Sequence, residues 1–380
     1  MASSTCSSSS AVTGTRLKEA VASEDKPVGR DGAGSSYVAR RALASTGVAA
    51  AVVVLLLFVW YARDVLLLAF AGILVGVFLR RLATWLSDRT PLSPRWALVV
   101  VVLTLLGSFV GTFALRGESI AAEVRTLRDE LPEAAAQLRN RLERYEWGRR
   151  AVEAAPNPGA LLPDTPDAIA RVTGVVSSTF SALASFVIIL FLGIVLAATP
   201  RVYVNGLLAL LPEAKVPRGR EVLGRLYDTL WWWLIGRIAA MTFIGVITGI
   251  GLWIIGVPLA FLLGLLAALL SFIPNIGPIL SAIPAVVLAL AQGPREALWV
   301  VALYVGVQIV ESYVLDPVID RKTVHLPPAL TILAQLVFAL FAGILGLALA
   351  TPLTAALVVL VTMLYVQDVL GRRDIEVGSH

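Results

Sequence analysis

The chain has 380 residues, of which 58% are hydrophobic and only 15% charged, against roughly 25% charged in ordinary soluble domains, which excludes an ordinary soluble protein. Its formal charge of +5 does not point to nucleic acid, because beside apolar runs of about 20 residues basic groups mark cytoplasmic loops. The single cysteine, Cys6, excludes a disulfide framework and a Cys-rich metal site.

Residues 1–41 hold a Ser run, scattered Gly and mixed charges, a composition that buries too little apolar surface to order itself, so a disordered cytosolic tail is expected. Residues 42–115 read as three membrane helices. Ala42 to Ala62 follows Arg40-Arg41, is too long for a signal-peptide core, and ends in the interfacial pair Trp60-Tyr61 with no A-x-A site behind it. Val65 to Leu79 follows a turn at Arg63-Asp64, and Trp96 to Leu115 is the third run. Lys and Arg number six in the tail, one in the first loop and four between the second and third runs, which places the N-terminus inside. Gly72-x-x-x-Gly76 can let another helix approach closely.

Residues 116–171 form an extracytoplasmic segment in which Ile120, Val124, Leu127, Leu131, Ala134, Leu138 and Tyr145 recur at helical steps. This amphipathic helix either lies on its own subunit or joins two subunits. Pro156, Pro158, Pro163 and Pro166 break it before a fourth membrane run in 172–199. Residues 200–236 read as a cytosolic amphipathic connector. Trp231, Trp232 and Trp233 stand at its end, suited to the headgroup level or, alternatively, to an aromatic ligand cage.

Residues 237–370 read as a core with two broken hairpins. Ile238 to Pro294 carries no Asp, Glu, Lys or Arg, enough for nearly three passes at about 20 residues each. Gly256-Val257-Pro258 ends a helix, and Pro274-Asn275-Ile276-Gly277-Pro278 splits the stretch from Pro258 to Ala291 into a spanning or re-entrant hairpin. Ala297 to Leu315 is the next helix. Thr323 to Gln367 is again free of Asp, Glu, Lys and Arg, and a break near Gly346 to Pro352 makes a second hairpin. Arg372-Arg373 leave 371–380 inside. Helix plus hairpin thus occurs twice in opposite orientation, an inverted repeat.

Proline at apolar depth removes a backbone donor that hydrocarbon cannot replace, so a break there persists only where protein or trapped water satisfies it, and it is then able to bind an ion or polar solute; the alternative is an ordinary turn at the aqueous surface. Its amides and carbonyls, with the Asn275 side chain, are the candidate site. Tyr304, Gln308 and Glu311 fall on one face of the intervening helix, a polar stripe of the kind that lines a path. Glu311 either snorkels or pairs with an Arg such as Arg237, or takes up a proton or cation in step with transport. No H-E-x-x-H, G-x-S-x-G or Walker A pattern is present, so neither an enzyme nor a cofactor is expected, and no metal or catalytic residues are assigned.

Ser271-Phe272-Ile273-Pro274-Asn275-Ile276-Gly277-Pro278 followed by Ile283-Pro284 resembles the autoinducer-2 exporter (AI-2E, PerM) family of bacterial membrane transporters. A second signature agrees: Glu311-Ser312-Tyr313-Val314-Leu315-Asp316-Pro317, Lys322, Leu326, Pro328, Gly343-Ile344-Leu345-Gly346 and Ala350-Thr351-Pro352-Leu353. The chain departs from the family where Arg321 replaces a usual Gly and where Leu326-Pro327-Pro328 replaces a Leu-His-Pro triplet, so His325 inherits no role. The resemblance implies an oligomeric integral membrane transporter, with members associated with autoinducer-2 export and others described as sodium or lithium antiporters with protons.

The combined expectation is an all-α polytopic membrane protein of about eight spanning segments, with two Pro/Gly-broken hairpins in its C-terminal half. Its partners are the lipid bilayer, a small polar solute or a monovalent cation and proton, and further copies of itself. It is placed in the bacterial inner membrane with both termini cytoplasmic. The candidate transport-site residues are Pro274, Asn275, Gly277, Pro278, Tyr304, Gln308, Glu311, Gly343, Gly346 and Pro352. The function expected is export of an autoinducer-2-like solute by alternating access, with cation/proton antiport and a membrane scaffold as the other readings.

Overall fold

The computed structural model describes residues 32–142, 184–320, 323–324 and 326–372. The proline-rich break at 156–166, the start of the fourth run at Val172, and His325 lie outside the described residues. The chain divides into two units between Tyr61 and Ala62. Every described element is helical.

The first helix, α1 (Gly32–Arg89), already covers residues 32–41. The expected turn at Arg63-Asp64 is absent, because neither residue is a helix breaker and their side chains lie 3.8 Å apart along the helix surface. The helix α2 (Pro94–Leu142) likewise joins the third run to the amphipathic segment; a lone Gly117 costs about 1 kcal/mol in a helix and does not end one. Its Leu127 packs on the apolar cluster that contains Leu252, Val257, Ala285 and Leu288. Next come α3 (Ala184–Ala198) and α4 (Pro200–Leu208), bent by 81° at Thr199. Gly72 and Gly76 meet α3 as the G-x-x-x-G spacing suggests: a Cβ added at Gly72 would come 2.7 Å from Leu192, and one at Gly76 3.1 Å from Leu196.

After a 3₁₀ turn at Glu213–Lys215 comes α5 (Val216–Ile255), a single 40-residue helix about 60 Å long, twice the depth of a hydrocarbon core. The connector and the fifth membrane run are therefore one rod. Its first half packs on α1 through Leu230 against Leu67, Ala71 and Leu74. Its second half receives α6 (Ala260–Leu270) in a notch of small residues: a Cβ at Gly264 would stand 2.7 Å from the Gly249 Cα, and one at Gly245 2.6 Å from the Ala268 Cβ. Such close backbone approach maximises van der Waals contact where no hydrophobic effect operates. A Schellman cap ends α5, with Gly256 at φ 87° and Val257 N–H donating to the Leu252 carbonyl at 3.0 Å.

The hairpin continues through α7 (Ile276–Gln292), whose Gln292 Nε2 donates to the Gly256 carbonyl at 3.0 Å. At 11 and 17 residues, α6 and α7 measure about 16 and 26 Å, so neither alone reaches across a ~30 Å hydrocarbon layer. Then come α8 (Pro294–Val310), a π-helical turn (Glu311–Leu315) and α9 (Asp316–Asp320). The last rod is α10 (Pro328–Leu360), continued by a second π-helical segment, Val361–Gln367.

The second break does not fall at Gly346 to Pro352. Those residues are helical, and the chain departs from helix at Ala342 (φ −142°, ψ 20°) and Gly343 (φ 61°, ψ −143°). Glycine decides the position because it adopts positive φ without a Cβ penalty, whereas a proline inside a membrane helix keeps the helical φ and is tolerated. Gly346 serves the break differently: a Cβ there would collide with the Phe338 carbonyl. Among the described residues five helices are long and apolar enough to cross a membrane, or six if the bent α3–α4 pair is one span.

Candidate functional site

The first hairpin turns in five residues. Phe272 and Ile273 N–H close the end of α6 on the Leu269 and Leu270 carbonyls, and Asn275 then takes φ 65°, ψ −44°. Ile276 N–H donates back to the Pro274 carbonyl at 2.8 Å, a γ-turn of positive φ that is rare and strained; Asn is one of the few residues that accept positive φ. Gly277 is required by packing, since a Cβ would collide with the Leu270 carbonyl. Pro278 lies in the first turn of α7, where its missing N–H is not needed.

Four residues after Pro274 stands Pro278, which has no proton to give the Pro274 carbonyl. Gln335 of α10 supplies it, donating from Nε2 at 2.9 Å. Gln335 is 1% exposed, and its Oε1 accepts no hydrogen bond. The first break is therefore latched to the arm that precedes the second. Both lie near the middle of α5: Phe272 meets the Trp233 ring edge-on at 5.9 Å, and Ala342 packs on the cluster containing Leu230.

One helical turn beyond Trp233, Arg237 Nη1 donates to Glu311 Oε1 at 3.1 Å, with the two side chains 4% and 2% exposed. Glu311 thus pairs rather than snorkels. Gln308 Nε2 donates to its other oxygen at 3.3 Å. Arg237 Nε and Nη2 are buried without a hydrogen-bond partner. The pair opens the π turn, in which Asp316 N–H reaches back to the Glu311 carbonyl. Single π turns inside helices are often found at functional positions.

The structure divides the expected site residues. Pro274, Asn275, Gly277 and Pro278 form the hairpin tip, and Gln308 and Glu311 form the ion-pair cluster at the same level of α5. Tyr304 lies elsewhere on the stripe: its hydroxyl donates to the Ser281 carbonyl at 3.1 Å and its ring packs on the apolar cluster of Leu252, Leu263 and Val300. Gly343 is the second break, Gly346 supports it, and Pro352 is buried in the following helix. The three tryptophans make no cage. Trp231 stacks on Phe78 and receives Arg81 at 5.9 Å, while Trp233 faces the hairpin.

Sequence reasoning passes over Gln335, although it is the one amide in the uncharged stretch before Gln367, and that isolation is the signal that could have found it. The notch of Gly245, Gly249, Gly264 and Ala268 is also visible as two small-x-x-x-small pairs. Among the described residues no group of three His, Cys, Asp or Glu could hold a metal ion.

The profile of a family described as AI-2E family transporter matches residues 50–365. YrrI of Bacillus subtilis is 33% identical over 151 residues, 40% of this chain and 43% of YrrI. TqsA of Escherichia coli, named an AI-2 transport protein, is 33% identical over 146 residues, 37% of this chain and 41% of TqsA. YhhT of Escherichia coli is 24% identical over 309 residues, 80% of this chain and 86% of YhhT. The alignments thus span less than half of YrrI and TqsA, and most of YhhT.

Proposed function

The chain belongs to the AI-2E transporter family, and from that premise we propose that it exports a small polar solute of autoinducer-2 type from the bacterial cytoplasm by alternating access. It is a multi-pass membrane protein. On this reading it sits in the inner membrane as a homo-oligomer with both termini cytoplasmic. The name of TqsA supports the solute class. With no nucleotide-binding loop in the sequence, the driving force is an ion gradient or the solute's own gradient.

The observation that carries the reading is the Gln335–Pro274 hydrogen bond. It joins two broken segments at one level of α5, and parting two such segments around a site between them is how transporters of this construction alternate access. Pro274, Asn275, Gly277 and Pro278 then form one wall of the path, with Gly343, Gly346 and Pro352 governing the other and Tyr304 bracing α8 on α7. A second reading, sodium or lithium exchange for protons, is favoured by the buried Arg237–Glu311 pair, since an intramembrane carboxylate is a natural carrier of a proton or cation.

Purified protein in vesicles loaded with autoinducer-2 and a pH-sensitive dye separates the two. Solute release under an imposed pH or sodium gradient is the expected result. Sodium-driven proton flux with no organic solute establishes the antiport reading instead, and the absence of both overturns transport of either kind. In the same assay Glu311→Gln removes the pH or sodium dependence if Glu311 couples the cycle; unchanged dependence refutes that role.

A further inference from the structure

Two arginines of α5 each grip a π-helical segment, and they differ in how much of the guanidinium is bound. Arg218 gives Nη1 to Glu221 at 2.8 Å and its Nε–Nη2 edge to both oxygens of Asp368, at 3.3 and 3.0 Å. Asp368 is the residue that directly follows the π segment Val361–Gln367. Arg237 gives Nη1 across to Glu311, the first residue of its π segment, but its Nε–Nη2 edge is buried and open. The residue that directly follows its π segment is again an aspartate, Asp316.

Asp316 is well placed to take that edge. It lies between Glu311, which bonds Arg237, and Ile319, whose side chain would be 2.7 Å from a Cβ on the adjacent Gly236. Asp316 and Ile319 are three residues apart on α9 and so share a face, the face turned to the Gly236-Arg237 step. Asp316 is also within electrostatic reach of Arg237. At this level the charged groups among the described residues are Arg237 on α5 and Glu311 and Asp316 on the rod opposite, while the Tyr304 hydroxyl is two turns away and bound to Ser281.

We propose that Asp316 is the second seat of Arg237, and that the guanidinium passes between Glu311 and Asp316 during the transport cycle. When Arg237 bonds Asp316 through its Nε–Nη2 edge, Glu311 loses its counter-charge and keeps the Gln308 amide. When the guanidinium returns, Glu311 recovers Arg237. The π turn sets Glu311 and Asp316 five residues apart on the rod that faces Arg237, and Gln308 donates to the second oxygen of Glu311. Asp316 is thus a positioning residue. The link to the transport cycle rests on the transport reading above, but the existence of two seats does not.

The test is a stability cycle on the full chain in detergent, which needs no transported solute. Glu311→Gln and Asp316→Asn are each expected to fold, because Arg237 keeps one seat. Together they strand a buried cation, and the ratio of folded to unfolded protein is expected to drop at least tenfold beyond the product of the two single losses. A double variant that loses no more than that product overturns the proposal. If the double variant does not fold at all, Arg237→Gln is added: recovery of folded protein supports the two-seat arrangement, and continued failure overturns it. Asp316→Glu in the Glu311→Gln background is expected to restore the stability that Asp316→Asn removes, and failure to do so counts against a seat. A positive cycle with no flux in vesicles sinks the transport reading and leaves the two seats standing.

Discussion

The start and the middle of α5 solve the same problem in opposite ways. At the start, Arg218 is 28% exposed and surrounds itself with acceptors: Glu221, Asp368, the Gln367 side chain at 2.7 Å and the Met363 carbonyl at 3.0 Å. In the middle, Arg237 is nearly inaccessible and makes one bond. A protein built only for stability would arrange the reverse, since donors left unpaired in the interior cost about 1–3 kcal/mol each and those near water cost little. The saturated grip fastens the beginning of α5 to the π segment that follows α10. The unsaturated one lies where two broken helices are latched and leaves an arginine with somewhere to go.

The comparison breaks most directly at Arg237. Arg237→Ala leaves Glu311 buried without its cation, and loss of one partner of a buried pair is expected to cost about 3–5 kcal/mol. Thermal unfolding in detergent reads this. A change no larger than that of an exposed pair would mean that water reaches the middle of α5, and that the two regions are not different in kind.

Much of this arrangement was legible in the sequence. Glu311 announces itself as the lone carboxylate of an apolar run, and Arg237 as the last charge before the longest uncharged stretch. The Pro274–Pro278 break and the Gly256 cap arise from residues with only one or two uses in a helix. The features that stay hidden depend on context rather than residue type. A π turn has no composition of its own, so the alignment of Glu311 with Asp316 cannot be read from an i, i+3, i+4 pattern. Pro352 looks like the stronger breaker than Gly343, yet the positive φ at Gly343 marks the bend. Arg63-Asp64 looks like a turn only because charge is uncommon in such a run, and charge alone does not end a helix.

A sharper distinction comes from Gln335. Replacing it by Leu removes the side-chain donor to the Pro274 carbonyl, which keeps the Ile276 N–H, and also removes its own buried acceptor. The loss is therefore expected to be modest, about 0.5–1.5 kcal/mol, while the latch between the two broken segments is gone. Amide hydrogen exchange is expected to rise at residues 271–277 and 335–343 and to stay unchanged at the Arg218 grip. Equal loosening at both would show that the two regions open as one unit, contrary to the separate roles assigned to them.

The smallest effect belongs to Arg218→Ala. Its partners are partly in water, where ion pairs contribute about 0.2–1 kcal/mol, and this contribution depends on ionic strength because near 1 M salt the screening length falls to roughly 3 Å. The stability difference between Arg218→Ala and the parent is thus expected to shrink as salt is raised, whereas the Arg237→Ala difference, made by groups that ions do not reach, is expected to hold. Measuring both variants across the same salt series compares the two grips without reference to any solute. If the two responded alike, exposure would not be what separates them, and the open edge of Arg237 would need a cause other than its place at the middle of the helix.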